Sequence, residues 1–149
     1  MPASSRRSTK RPGAWLLRLV TAVMLLVIGI DHLHLYLGTY QHIPKIGPLF
    51  LANLGIAVVL AALILIRPLA ILAVGAILFA LGTAAFYIYS LQAPLFQFME
   101  AGISYSGEVG LVAEAVTVLA AAALILRRRL PGASRPSRDT GDADRWVRT

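Results

Sequence analysis

No cysteine occurs in the 149 residues. That absence excludes disulfides, thiolate metal sites, iron–sulfur clusters and all thiol chemistry, including that of the small four-helix membrane thiol oxidoreductases. Charge is scarce as well: 14% of residues are Asp, Glu, Lys or Arg, against ~25% in an ordinary soluble domain. Acids are fewest, seven in all, and Asp139, Asp142 and Asp144 take three of those close to the C-terminus. There is no phosphate loop, no Gly-x-Ser-x-Gly elbow, no His-Glu-x-x-His and no Ser/His/Asp order with catalytic spacing. No residue set nominates an enzyme, and no cofactor is expected.

What fills the chain is apolar. Hydrophobic residues make up 58% of it and mean hydropathy is +0.73, beyond the ~45–50% apolar content of soluble domains. A membrane-spanning helix needs ~20 mostly apolar residues, and four segments qualify: Ala14–Leu37, Pro48–Ile66, Leu69–Ser90 and Glu108–Leu126. Each is apolar all round rather than striped, as lipid requires. The breaks between them have chemical causes. Pro12 and Gly13 precede the first span; Gly38 closes it, and Pro44, Gly47 and Pro48 fill the next turn. Pro48 suits a first helical position, where a missing N–H costs nothing. Arg67-Pro68 leaves so little chain that the second and third spans are expected to form a tight antiparallel hairpin in direct contact. The sequence predicts an all-α, four-helix transmembrane bundle over residues 14–130, flanked by disordered tails at 1–13 and 131–149.

The net charge of +7 is unevenly placed. Arg6, Arg7, Lys10, Arg11 and Arg18 lie at the start, Lys45 in the first loop, Arg67 in the second, none in the third, and seven arginines from Arg127 onward. With both termini on one side the split is thirteen against one. The positive-inside rule then puts both termini in the cytoplasm of a multi-pass protein of the cytoplasmic membrane. Basic clusters beside apolar spans set orientation and touch anionic lipid, so the bilayer is the expected partner and nucleic acid is not. Ser5-Arg6-Arg7-Ser8-Thr9-Lys10 is similar to a twin-arginine signal. It lacks the usual bulky apolar pair, and no small-residue cleavage site follows, so the first span is read as uncleaved. Trp146, the one large apolar residue in its tail, is read as unstructured.

Polar groups fall at one end. His32, His34, His42, Asp31, Glu100, Glu108 and Glu114 all lie in the outer half of the spans or outside it, whereas the cytoplasmic half holds only interfacial arginines. With Leu35 and Tyr36 at the interface and ~1.5 Å per residue, Asp31 is ~6 Å inside, Asn53 ~7 Å and Glu114 ~9 Å. A charge facing lipid there costs ~2.5–3.5 kcal/mol or more, so Asp31, His34, Asn53 and Glu114 are expected to face one another inside the bundle. Asp31 and His34, three residues apart, can share a face, with His32 a quarter turn away. The same groups read three ways. One is a hydrogen-bonded network with an Asp31–His34 pair; another is a proton-linked or small-ligand pocket; the third is a metal site of Asp31, His32, His34 and Glu114, since imidazole and carboxylate suit Zn, Cu or Fe. Against the metal, His-x-His sets its rings about 200° apart on one helix. Haem ligation wants histidines on two helices, and a small multidrug exchanger wants a mid-membrane acid and a weaker charge bias. Ala73, Ala76, Ala80 and Ala84 form a small-residue stripe for close packing.

The third loop, Leu91 to Gly107, is too apolar for a free loop. It is expected to lie in the interface as a short helix or re-entrant cap, with Phe96, Phe98 and Tyr105 joining Tyr36, Tyr40 and Tyr89 in an aromatic belt. Phe96, Phe98, Glu100 and Tyr105 would then form either a lid over the polar pocket or a partner-docking surface.

The stretch HLHLYLGTYQHIPKIGPLFLANL, from His32 to Leu54, resembles small four-span membrane proteins of actinobacterial type. The positions that carry the resemblance are His34, Tyr40, Ile43, Pro44, Ile46, Gly47, Pro48, Leu49, Phe50, Leu51 and Asn53, with acids like Glu100 and Glu114. The general architecture is similar to DoxX-like four-helix proteins. The resemblance implies the four-span fold and no particular activity. The role expected first is an accessory or interaction subunit of a larger membrane complex or homo-oligomer; the alternative is an outward-facing pocket for a small ligand, proton or metal.

Overall fold

The computed structural model describes residues 12–96 and 98–129. They form four long helices: α1 (Pro12–Gly38), α2 (Ile46–Ile66), α3 (Ala70–Ser90) and α4 (Tyr105–Arg129), with a single 3-10 turn at Tyr40–His42. All four are long and apolar enough to cross a membrane. The outside of the bundle is accordingly greasy, with Ile66, Ile71, Leu78, Val112 and Leu119 among its most exposed side chains. The two expected tails, the twin-arginine-like run and Trp146 lie outside the described residues, except that Pro12 and Gly13 belong to the first turn of α1 rather than to a tail.

Helix bounds depart from expectation where capping outweighs composition. α4 starts three residues earlier than Glu108, because the Ser104 hydroxyl accepts the Gly107 N–H at 3.1 Å and satisfies a first-turn donor. It also runs through Arg127, Arg128 and Arg129, cations that suit the negative end of a helix dipole. α2 starts at Ile46, so Pro48 occupies the third helical position, still among the donors that lack a partner.

Two ends of the bundle can be distinguished. At the arginine end, Ala22, Leu25, Ala61, Ile64, Ala73, Ala76 and Ala121 draw all four helices into one core. Arg18 Nε donates to the Ile64 carbonyl at 2.8 Å, and a terminal nitrogen of the same guanidinium donates to the Leu65 carbonyl. These are last-turn carbonyls of α2 with no partner in their own helix. Arg128 reaches the Pro68 carbonyl in the α2–α3 turn. The arginines of this end therefore cap helices and tie α1 and α4 to the turn, beyond the interfacial role expected of them.

Along the length, α1 packs on α2 and α4, and α4 packs on α3. Close approach explains this pairing. A side chain on Gly29 of α1 would meet Ala57 and Leu54 of α2, so this crossing needs glycine. The interior face of α4 is small (Gly110, Ala113, Thr117, Ala120, Ala121) and meets the buried Ala73, Ala76 and Ala80 of α3. The expected alanine stripe thus packs against α4. The hairpin between α2 and α3 is in contact only near its turn: the two share the arginine-end core, and their more extensive packing is with α1 and α4 respectively. Each spends its packing face on a different neighbour.

Candidate functional site

Where α2 and α3 diverge there is a cavity of about 380 Å³ at the loop end, in the size class of small-molecule sites. Its walls are mostly apolar: Leu49, Phe50, Ala52 and Ile56 from α2, and Leu78, Phe79, Gly82 and Phe86 from α3. Its polar groups come from all four helices: Asp31 and His32 from α1, Asn53 from α2, Thr83, Tyr87 and Ser90 from α3, and Ser106 and Glu114 from α4. Three of the four residues expected to cluster therefore meet there, and the fourth does not.

His34 is the exception. It is exposed and lines no part of the cavity. The inward face of α1 is the run Thr21, Leu25, Ile28, His32, Leu35, spaced four and three residues apart, and a residue two positions past His32 turns outward. Asp31 sits at one edge of this face, and instead of pairing with His34 it accepts a hydrogen bond from the Ser106 hydroxyl in the first turn of α4. His32, expected to point aside, lines the cavity. Its Nδ1 stands 2.8 Å from the Ile28 carbonyl. A carbonyl only accepts, so Nδ1 carries the proton and Nε2 is left as an acceptor. The metal reading is corrected with it: Asp31, His32, His34 and Glu114 do not converge, and among the described residues no group of three His, Asp or Glu side chains could hold a metal ion.

Glu114 is 5% exposed, packed between Gly110, Ala113 and Thr117 on its own helix. It faces the Thr83 hydroxyl of α3 and has Asp31 as its charged neighbour. Thr83 itself donates to the Phe79 and Ala80 carbonyls of its own helix. The Asn53 side-chain oxygen is buried and has no hydrogen-bond partner. A buried polar atom left without a partner costs ~1–3 kcal/mol, so the wall of the cavity at Asn53 is not optimised for packing alone.

The third loop closes the end of the cavity. Its described residues before α4 form no helix: Leu95 and Phe98 exchange backbone hydrogen bonds of 2.6 and 2.8 Å. Leu95, Phe98 and Glu100 line the cavity from above. Tyr40 holds them there. Its hydroxyl donates to Glu100 Oε1 at 2.6 Å, its ring stacks on Phe50 at 4.9 Å, and Phe98 meets it edge-on at 5.2 Å. Burial and the Glu100 carboxylate push the Tyr40 phenol well above its ordinary range. Tyr40 is 8% exposed, so it belongs to the interior and not to an aromatic belt. Of the four expected lid residues, Phe98 and Glu100 face inward, while Tyr105 is exposed and Phe96 points out under the Lys45 ammonium, 5.5 Å from its ring centroid. Lys45 and Phe96 are also the only described non-glycine residues with positive φ, at 70° and 48°. The contact joins the first turn of α2 to the loop that follows α3. Tyr87 completes the rim: its ring lies where a side chain on Gly107 would be, and its hydroxyl accepts the Ser104 N–H at 3.4 Å.

Sequence reasoning passed over Ser106 and the Tyr40–Glu100 pair, and considered His32 only as a metal ligand. The first had a signal, since Ser104 and Ser106 open a helix. The pair, sixty positions apart, had none. No protein-family model, no curated protein and no solved structure matches the chain.

Proposed function

We propose that the chain is a multi-pass protein of the cytoplasmic membrane that binds a small ligand, without turning it over, in a pocket in the outer half of its four-helix bundle. The observation that carries this reading is the cavity itself, apolar in its walls and polar at its base, with the Asn53 oxygen unpartnered. That feature favours ligand binding over an accessory-subunit role. The basic bias of the sequence supports cytoplasmic termini, which would put the arginine end inside and the lidded end outside.

Two experiments test it. The full chain, extracted into native-lipid discs without detergent exchange, should retain a small molecule stoichiometrically, recoverable by solvent extraction and mass spectrometry. Ala52→Trp, which fills the cavity from an exposed wall position, should lose it while keeping its helix content. An extract of bulk lipid alone, unchanged by the substitution, would overturn the pocket. A reporter fused after Thr149 should read cytoplasmic; an extracytoplasmic signal would overturn the orientation.

A further inference from the structure

The chemistry of the lining narrows the ligand. Its polar groups are in surplus as acceptors: the carboxylates of Asp31 and Glu114, the unpartnered Asn53 oxygen, and His32 Nε2. Four of the lining hydroxyls are already donating, Ser106 to Asp31, Thr83 and Ser90 to backbone carbonyls, and Tyr40 to Glu100; those of Tyr87 and Ser104, nearer the lid, accept backbone N–H groups and keep their own protons. Among the described residues that line the cavity there is no Lys or Arg. Two carboxyl groups with no cation of the protein's own are complemented by a cation on the ligand, one that brings several N–H donors.

The walls indicate the rest of the molecule and how it arrives. Lining residues that are also exposed lie along the facing sides of α2 and α3: Leu49, Ala52 and Ile56 on one, Leu78, Gly82 and Phe86 on the other. The top is covered by Leu95, Phe98 and Glu100. The mouth is therefore on the flank of the bundle, at the depth of the apolar belt, and it is apolar. Water-soluble ligands gain nothing from such a mouth, whereas a molecule already in the bilayer can slide in with its chain still in lipid.

Resting on the pocket reading above, we propose that the site takes a cationic amphiphile, an apolar body ending in a protonated amine, laterally from the bilayer between α2 and α3. The ammonium sits among Asp31, Asn53 and Glu114, and the chain lies between Phe50 and Phe86 and out through the gap.

The test uses the full chain in lipid discs and three probes with the same ten-carbon body: decylamine, decanol and decanoate. Saturable binding in excess of empty discs is measured at pH 7. Decylamine should bind at least tenfold more tightly than decanol, and decanoate should show no saturable excess. Glu114→Gln and Asp31→Asn, which keep shape and hydrogen bonding, should each weaken decylamine at least tenfold and leave decanol within about twofold. Gly82→Trp tests the route, because a side chain there meets nothing within 4 Å; it should fold normally, by helix content and melting temperature, yet lose decylamine. Equal binding of alcohol and amine, or amine binding unchanged in Glu114→Gln, overturns the cation while leaving the pocket standing. Full binding in Gly82→Trp overturns the lateral route. Saturable binding of none of the three overturns the ligand class, and the extraction experiment above then decides the pocket on its own.

Discussion

At the arginine end, alanines bring four helices close enough for Leu25 and Ile64 to fill the space between them, and Arg18 and Arg128 close off the carbonyls that remain. At the loop end the same helices carry phenylalanines, a tyrosine, the buried Glu114 and the half-buried Asp31, and they stand apart around about 380 Å³ of open space. Helix-to-helix attraction in lipid comes from close packing and hydrogen bonds rather than from a hydrophobic drive. An end lined with small residues therefore closes, and an end lined with large and polar ones needs something else to hold it. Here that something is the lid, pinned by Tyr40 to Glu100 and by Lys45 to Phe96. Close packing and open space in this way fall at opposite ends of one short bundle.

If that division is correct, the largest loss of stability should come from the arginine end. Arg18→Ala removes two charge-assisted bonds and orphans the Ile64 and Leu65 carbonyls. With each such bond contributing ~1.5–3 kcal/mol and one of the two exposed, the expected loss is about 3 kcal/mol. Melting of the detergent-solubilised chain measures it, and Arg18→Lys should recover only part, because an ammonium lacks the fork that spans two carbonyls. A substitution without effect would make the clamp ornamental.

Next in size is a matched pair on a single helix. Ala76 is fully buried in the arginine-end core, and Gly82, under two turns further along α3, faces open space. Ala76→Leu overpacks and should cost ~1–3 kcal/mol. Gly82→Leu places its Cβ where nothing lies within 4 Å and replaces a poor helix former, so it should be neutral or stabilise by up to ~1 kcal/mol. Equal costs would mean that the two ends are packed alike and that the gap closes in the membrane.

Much of this was legible before any coordinates. The four helices follow from apolar length, and four of their eight ends fall within one residue of the composition breaks at Leu37, Ile66, Leu69 and Ser90. Asp31, Asn53 and Glu114 meet because depth along a helix is countable at ~1.5 Å per residue. Azimuth is less legible. His34 and Asp31 differ by about 60° around α1, and the edge of the inward face falls between them, at a place set by which neighbours pack there. Likewise the Arg67-Pro68 turn specifies antiparallel chains that meet at its base but not how far along they stay in contact. That depends on α1 and α4 competing for the same small-residue faces.

The smallest expected effect concerns the lid latch, and pH makes it separable. Tyr40→Phe removes the bond to Glu100 while keeping the stack on Phe50, and should cost ~1 kcal/mol at pH 7. The folded phenol holds its proton to a higher pH than the unfolded one because burial and the Glu100 carboxylate both oppose its ionisation. Below pH ~10, the ordinary tyrosine value, both states are protonated and the contribution is fully present. Above it the unfolded chain releases a proton that folded Tyr40 retains, so stability falls with rising pH by up to ~1.4 kcal/mol per unit. The variant has no phenol at this position and lacks that slope. Taking the difference between the two chains cancels the remaining tyrosines. The wild-type advantage should therefore be constant from pH 7 to 9 and shrink or reverse by pH 11. A difference that stays flat across the whole range would put the Tyr40 hydroxyl in water, and the lid would then rest on its aromatic contacts alone.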